Sequence, residues 1–506
     1  MPQPSAVPPL TGRQWGIIAV LTAAVMLLAI DGTVLSLAVP SLTADLEPSA
    51  TELLWIGDVY SFVLAGLLVT MGNVADRFGR RRVLLIGSAG FGLASLVAAL
   101  APTAGVLIAA RAGLGLFGAT IMPSTLSILR DVFRHPLQRT RAIAIWSAGA
   151  TGGAAVGPLV GGFLLEHSWW GSVFLINLPV MVVVIAAGWV LVPESHGKAG
   201  ARIDTASAAL SVGAVVPVVY AVKHLAAEGF DAVVVVTAVA GLAAGWVFLR
   251  RQRRLPTPLI DIHLFGIPAF AGAVAANGIA IFALAGLLFF FSQYLQLVRG
   301  LSPLIAGLVE LPATIMSVLV ALVAVAIVKR LGAGRSIASG LMLAGPAMAL
   351  IGLAAGLPGY GWLLTGISLA GLGIGLAMTL STDAIVSAAP VERAGAASAI
   401  SETAYELGVA MGIALLGSLQ TVLYRRSLRI PAGTDTEAAT AVTESLAVGL
   451  RHLDQQVAAH AELAALAKES FTSAMQTTSA VAAVLLVAAG VVAWRFIPAE
   501  SRDSGH

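Results

Sequence analysis

Six ionisable side chains interrupt long apolar runs in this chain. Asp31 stands in Ala29-Ile-Asp31-Gly-Thr33-Val-Leu-Ser-Leu-Ala38-Val-Pro40, and Asp58 in Leu54-Trp-Ile-Gly-Asp58-Val-Tyr. Arg111 lies in Ala110-Arg111-Ala-Gly-Leu-Gly115, and Glu310 in Gly307-Leu-Val-Glu310-Leu-Pro312. Glu402 and Glu406 share Ser401-Glu402-Thr403-Ala404-Tyr405-Glu406-Leu-Gly408. If these runs cross a bilayer, each charge is expensive to keep there, and such groups are functional by default. The chemistry open to them is proton uptake and release, and attraction of cations.

Glu402 and Glu406 are four residues apart, so a helix carries both on one face. Two like charges that close do not both ionise cheaply, and one of the pair is expected to hold a proton near neutrality. Such a pair suits exchange of a proton for a cation. Arg111 is about six residues, roughly 9 Å, from one end of its run, and Asp58 is at a similar depth. Asp31 is roughly 13 Å below Pro40. An arginine paired with one aspartate keeps it ionised and leaves the other free to take a proton. A fixed structural pair is the bland alternative. Arg111 is the one basic residue expected inside a span. Glu310 reads either as a substrate-recognition acid or as a partner for Arg299. Asp383 and Glu392 read as solvated helix ends.

Composition says what positions these groups. The 506 residues are 58% hydrophobic and only 11% charged, with a mean hydropathy of +0.92. A soluble domain carries about 25% charged residues, so this is a polytopic membrane protein. There are no cysteines, which excludes disulfides and thiolate metal sites, and no other metal site is expected. No phosphate-loop pattern appears, so nucleotide is not the fuel, and no cofactor is expected. The net charge of +3 needs no nucleic acid to explain it. Basic residues flank the spans instead. Heavy use of Ala, Gly, Val and Arg points to a GC-rich, bacterial genome. The N-terminal stretch to Thr11 is Pro-rich and lacks a signal-peptide pattern.

A span needs about 20 apolar residues. That ruler places spans near 14–39, 52–72, 83–101, 105–129, 142–165, 172–192, 204–222, 232–249, 269–292, 303–328, 336–356, 361–383, 395–421 and 472–496. Fourteen spans put both termini on one side. The alternate short loops carry nearly all the arginines: Arg77 to Arg82, Arg130 to Arg141, Lys198 and Arg202, Arg250 to Arg254, Lys329 to Arg335, Arg393, and Arg502 at the terminus. Arginine-rich loops stay cytoplasmic, so the expected topology has both termini in the cytoplasm of a plasma membrane. The opposite side holds Lys223, Arg299 and a long segment, 422–470, with a helical pattern over 437–450 and 452–470.

The chain repeats itself weakly. Ala112-Gly-Leu-Gly115 returns as Ala370-Gly-Leu-Gly373, Arg77-Phe-Gly79 as Arg330-Leu-Gly332, and Gly153-x-x-x-Gly157 as Gly408-x-x-x-Gly412. The common spacing implies two six-helix bundles, 1–192 and 261–506, with two inserted helices in 193–260. Transporters of such design bind substrate near the midplane between the halves.

Two further phrases carry a family resemblance. Gly72-Asn-Val-Ala-Asp76-Arg77-Phe-Gly79-Arg80-Arg81-Arg82 is a basic turn between spans two and three. It is similar to the G-x-x-x-D-R-x-G-R-[RK] signature of the major facilitator superfamily. In span five, Gly153-Ala-Ala-Val-Gly157-Pro158-Leu-Val-Gly161-Gly162 makes a flat helix face for close packing, and its proline would kink the helix. It resembles the superfamily's antiporter motif. With Asp31-Gly-Thr33, Arg111-x-x-x-Gly115, Met122-Pro-Ser-Thr and Ser401–Gly408, the whole chain resembles the 14-span drug/proton antiporter branch, among its quaternary-ammonium and dye efflux pumps.

That resemblance implies an all-α major facilitator fold and alternating access, not an enzyme. It implies proton coupling through Asp31, Arg111, Glu402 and Glu406. It implies small lipophilic cations as substrates, held by Asp31, Asp58, Glu310, Glu402 and Glu406, and a chain that works in the bilayer as a monomer. A dedicated exporter of one antibiotic or siderophore is the alternative, and a proton-coupled nutrient symporter a more distant one.

Overall fold

The computed structural model describes residues 10–133, 135–196, 204–255, 258–389, 394–431, 434–453 and 458–497. Arg134, Lys198, Arg202, Glu392, Arg393 and Arg502 of the charge pattern lie outside these residues. Among the described residues, 14 helices are long and apolar enough to cross a membrane.

The first six crossings are α1 (Gly12–Leu46), α2 (Ala50–Phe78), α3 (Arg80–Ala99), α4 (Ala104–Val132), α5 (Pro136–His167), and the short α6 (Ser172–Leu175) running into α7 (Asn177–Leu191). The inserted pair is α8 (Thr205–Glu228) and α9 (Ala232–Gln252). The last six are α10 (Pro268–Gln293), α11 (Pro303–Leu331), α12 (Ala333–Ala355), α13 (Gly361–Ala388), a broken thirteenth crossing and a long terminal helix. The thirteenth consists of α14 (Ala394–Met411), a π-helical turn (Gly412–Leu416) and α15 (Gly417–Ser427). Two short helices follow, α16 (Thr436–Glu444) and α17 (Leu446–His452), before α18 (Ala458–Phe496).

Apolar length explains why these segments are helices, since a bilayer demands that every backbone group be paired within its own segment. Polar residues set where they start. Thr11 and Gln14 form a capping box on α1, as do Ser49 and Glu52 on α2. Asp204, Asp231 and Ser302 cap α8, α9 and α11 through their side chains, satisfying amides that the first turn leaves open.

The halves repeat in packing as well as sequence. Gly153 and Gly157 on α5 face Met26 and Thr33 of α1 so closely that a Cβ at either would collide. Gly408 and Gly412 of the thirteenth crossing approach Gly278 and Phe282 of α10 in the same way. The fifth span of each half therefore lies on the first span of that half.

Two expectations need correction. The helical pattern over 452–470 is not a separate element of the long segment. Most of it belongs to α18, whose 39 residues run to about 58 Å, far beyond one membrane thickness. Span seven does not end at 222 either. Helix α8 continues to Glu228 and carries Lys223 inside the protein.

The turn at Gly79 defines the basic end of the bundle. The halves meet at the opposite, far end. There Gly162 on α5 abuts Leu304 of α11, and Gly307 on α11 abuts the Pro158 carbonyl. Gly57 of α2 abuts Ile413, Gly417 abuts Leu54, and Gln296 donates to the Leu37 carbonyl at 3.0 Å. The far end is closed. Deeper in, Gly32 on α1 and Gly152 on α5 have open space beside them.

Candidate functional site

Asp31 and Arg111 meet. Arg111 Nη1 lies 3.4 Å from Asp31 Oδ2, with side-chain exposures of 2% and 0%. The guanidinium fork is otherwise spent on α2: Nε donates to the Ile56 carbonyl at 3.0 Å and Nη2 to the Gly57 carbonyl at 3.3 Å. Those two bonds hold the charge at one height between α1, α2 and α4. Asn177, at the start of α7, donates through Nδ2 to Asp31 Oδ1 at 2.9 Å and to Ser95 Oγ at 3.0 Å. Both carboxylate oxygens of Asp31 are therefore engaged, and the group has no open face.

Asp58 is not left free by this pairing. Lys223 of α8 reaches it at 2.7 Å, and neither side chain is exposed. The ammonium also sits 3.8 Å from the centre of the Trp55 ring, within cation–π range. Two sequence expectations are corrected here. Arg111 is not the only basic residue inside a span, and the second aspartate is not unpaired. Lys223 is tolerated because its carboxylate and its ring are both supplied from α2.

Glu402 and Glu406 lie on α14, in the first half of the thirteenth crossing, and are half-buried. Glu406 comes within interaction range of Ser61 on α2 and of Arg111. Tyr60, 5% exposed, has its ring centre 5.1 Å from the Arg111 guanidinium and lies within electrostatic reach of Glu406. Arg111 thus lies within electrostatic reach of Asp31, Asp58 and Glu406, on three separate helices. Asp31, Arg111 and Glu406 form one cluster across the two halves, with Glu402 one turn away and Asp58 beside it but bound to Lys223.

Glu310 stands apart. It is 4% exposed, Oε1 has no hydrogen-bond partner, and Ser292 on α10 is the neighbour that its other oxygen reaches. Its proposed pairing with Arg299 is overturned. Arg299 donates instead to Tyr294 Oη and to the Leu357 and Gly359 carbonyls. Asp383 is exposed, as a solvated end should be.

At the basic end, the signature turn is an ion-pair knot. Arg80 bridges Asp76, at 2.7 Å, and Asp131 of α4. Glu194, just past α7, accepts from the Arg81 amide at 3.0 Å and the Arg82 amide at 3.3 Å. It places a carboxylate on the N-terminus of α3, where the helix dipole favours an anion. Gly79 has φ +105°, and a Cβ there would stand 2.7 Å from Glu194 Oε1. Arg77 is exposed, and Gly72 packs near Pro123. At the far end, Gly161 faces Val34 and Gly162 faces α11, so one motif touches both halves.

Nothing in the sequence marks Asn177, Tyr60 or Glu194 for a role. Lys223 alone carried a signal: it is one of only four lysines, and it follows an unbroken apolar run. Among the described residues, no group of three His, Asp or Glu side chains could hold a metal ion.

Residues 21–413 match the family model of the Major Facilitator Superfamily. The chain is 44% identical over 481 residues to the multidrug efflux pump LfrA of Mycolicibacterium smegmatis, covering 95% of each chain. It is 38% identical to the methyl viologen resistance protein SmvA of Salmonella typhimurium, covering 86% of this chain and 88% of that one. It is 34% identical to the tetracenomycin C resistance and export protein of Streptomyces glaucescens, covering 81% and 76%. In fold it is similar to a bacterial homologue of the human lysosomal transporter Spinster in an inward-facing, unoccupied conformation. That match has a TM-score of 0.69 at 17% identity and covers 98% of this chain and 100% of the other.

Proposed function

The chain belongs to the major facilitator superfamily, and from that premise we propose that it is a multidrug efflux antiporter. It exports lipophilic cations, such as quaternary ammonium compounds and dyes, in exchange for protons. It acts as a multi-pass protein of the bacterial plasma membrane, with the basic end and both termini in the cytoplasm and a single copy sufficient.

The observation that carries this reading is the cluster that joins the halves. A cation needs carboxylates and aromatic faces in a space of low dielectric, and Glu402, Glu406 and Tyr60 bring these together beside Arg111. Arg111 is the shared counter-charge. A cation entering beside Glu406 competes with Arg111 for its field, and a proton on Glu406 removes the attraction. Asp31, enclosed by Arg111 and Asn177 in this far-end-closed state, is reached by a proton more easily than by a bulky cation. Its part is therefore coupling rather than substrate contact. Protonation then acts as the differential interaction that biases one state over the other. Names among the relatives, a multidrug efflux pump and a methyl viologen resistance protein, support cationic substrates.

The narrow-exporter reading is favoured by relatives named for a single antibiotic, among them the one named for tetracenomycin C. The test is proteoliposomes with an imposed pH gradient, reading ethidium movement by fluorescence. Antiport predicts that an inward proton gradient drives ethidium the other way and that collapsing the gradient stops it. Movement indifferent to the gradient would sink proton coupling. Transport of one antibiotic and no ethidium would favour the narrow exporter.

A further inference from the structure

Helix α8 touches both halves, and it does so with different chemistry on each side. Toward α2 it offers Lys223, paired with Asp58 at 2.7 Å and stacked on Trp55 at 3.8 Å. Tyr220 adds a ring 6.5 Å from Trp55, and Val212 fills the notch at Gly66. Toward the thirteenth crossing it offers methyl groups: Val219 shares a small apolar cluster with Ala410 and Ala414, which Phe62 of α2 joins. In lipid the second kind of contact is replaced at little cost, because acyl chains are as apolar as valine. The first is not replaceable, because separating the pair strands two charges in a dry place. When the far end opens, α8 must part from one neighbour, and only one parting is cheap.

We propose that the Asp58–Lys223 pair clamps the inserted hairpin α8–α9 to the N-terminal six spans, so that α8 is the sliding face of the far-end gate. Lys223 is then a resident cation held in a carboxylate-and-indole cage. Asp58 is a positioning residue, committed to that lysine rather than to substrate. The proposal rests on the alternating-access reading above, and it gives the inserted helices a part in the cycle.

The absence of cysteine makes the test direct. One pair, Val219→Cys with Ala414→Cys, crosses the sliding face. The other, Gly66→Cys with Val212→Cys, crosses the clamped face. Each is oxidised in membrane vesicles, assayed for ethidium efflux, then reduced and assayed again. Bridging the sliding face should cut efflux at least tenfold, and reduction should restore it. Bridging the clamped face should leave efflux within about twofold. The reverse pattern, or efflux indifferent to the first bridge, overturns the proposal.

A second arm reads charge. Lys223→Met should lose most efflux, and Asp58→Lys combined with Lys223→Asp should recover much of it, since the swapped pair strands no charge and keeps α8 tied to α2. A double variant as dead as Asp58→Asn alone would assign Asp58 to substrate or proton and overturn the clamp. If the unmodified protein moves no ethidium, the functional reading fails by itself. The clamp is then read from folded yield, lost in Lys223→Met and recovered in the double variant.

Discussion

Arg111 on α4 holds Asp31 on α1 at 3.4 Å while its other donors are fixed to the Ile56 and Gly57 carbonyls of α2. One side chain thus ties three helices. Only a planar fork with donors on several edges makes all three contacts at once, and lysine does not reproduce that geometry. Arg111→Lys is expected to lose efflux by tenfold or more while the protein still reaches the membrane. Wild-type efflux by the lysine variant would show that a point charge suffices.

Asp31→Asn tests the other partner. It leaves Arg111 buried with its counter-charge gone, which for a buried pair costs about 3–5 kcal/mol. Coupled efflux should be abolished and thermal stability in detergent should fall. Asn177→Ala is the informative companion. It removes one donor to Asp31 and leaves the charge pair intact. It should cost about 1–3 kcal/mol of stability and shift the pH dependence of efflux without abolishing it. Persistent, uncoupler-sensitive efflux by Asp31→Asn would remove Asp31 from the coupling mechanism.

Glu402 and Glu406 are expected to divide proton and cation between them. A divalent cation needs more compensation than a monovalent one in a low-dielectric space. Losing either acid should therefore hurt divalent substrates more. Glu406 lies nearer Arg111 and Ser61, so Glu406→Gln should be the more damaging to coupling. The measurement is efflux of a matched monovalent and divalent pair across external pH. If both variants match wild type on both substrates, the pair is structural.

The knot at the basic end gives a prediction of stability. Gly79 occupies the left-handed region and its missing Cβ makes room for Glu194. Gly79→Ala forces a strained backbone, worth about 1–2 kcal/mol, and displaces the carboxylate that caps α3. Glu194→Gln keeps the shape and loses the charge, so it should cost less than Gly79→Ala. Melting temperatures in detergent rank the two, and the reverse order would show that the charge matters more than the turn.

Most of the fold was legible because apolar length is a long-range constraint read locally: 14 runs became 14 helices. The acids were legible for the same reason, since a charge in such a run has no cheap explanation. What could not be read was who neutralises them. Lys223 and Asp58 are 165 residues apart, and a lysine one residue past the estimated end of a span looks like the start of a loop. Asn177 left no mark because a neutral amide is unremarkable at a helix start. Arg299 was near Glu310 in sequence, yet its fork fits the carbonyls at Leu357 and Gly359 better than a carboxylate on the next helix.

The last prediction concerns closure at the far end. Gly162 on α5 and Gly307 on α11 let the two halves touch backbone to backbone. A Cβ at Gly162 would lie 2.7 Å from Leu304 Cα, and one at Gly307 would lie 2.6 Å from the Pro158 carbonyl oxygen. Backbone does not yield as a side-chain tip does, so bulk at either position holds the halves apart. Within one half the same change is a folding problem, but at this contact it biases a two-state equilibrium. Gly162→Val and Gly307→Val should each slow ethidium efflux at least tenfold and favour the state open at the far end. A reporter cysteine at Leu37, buried in the closed state, should then react several-fold faster with a membrane-impermeant maleimide added from outside. Gly152→Ala is the control, because a Cβ there meets nothing within 4 Å, and it should transport near normally. Unchanged labelling at Leu37 in both valine variants, with efflux intact, would mean that this glycine contact does not gate the far end.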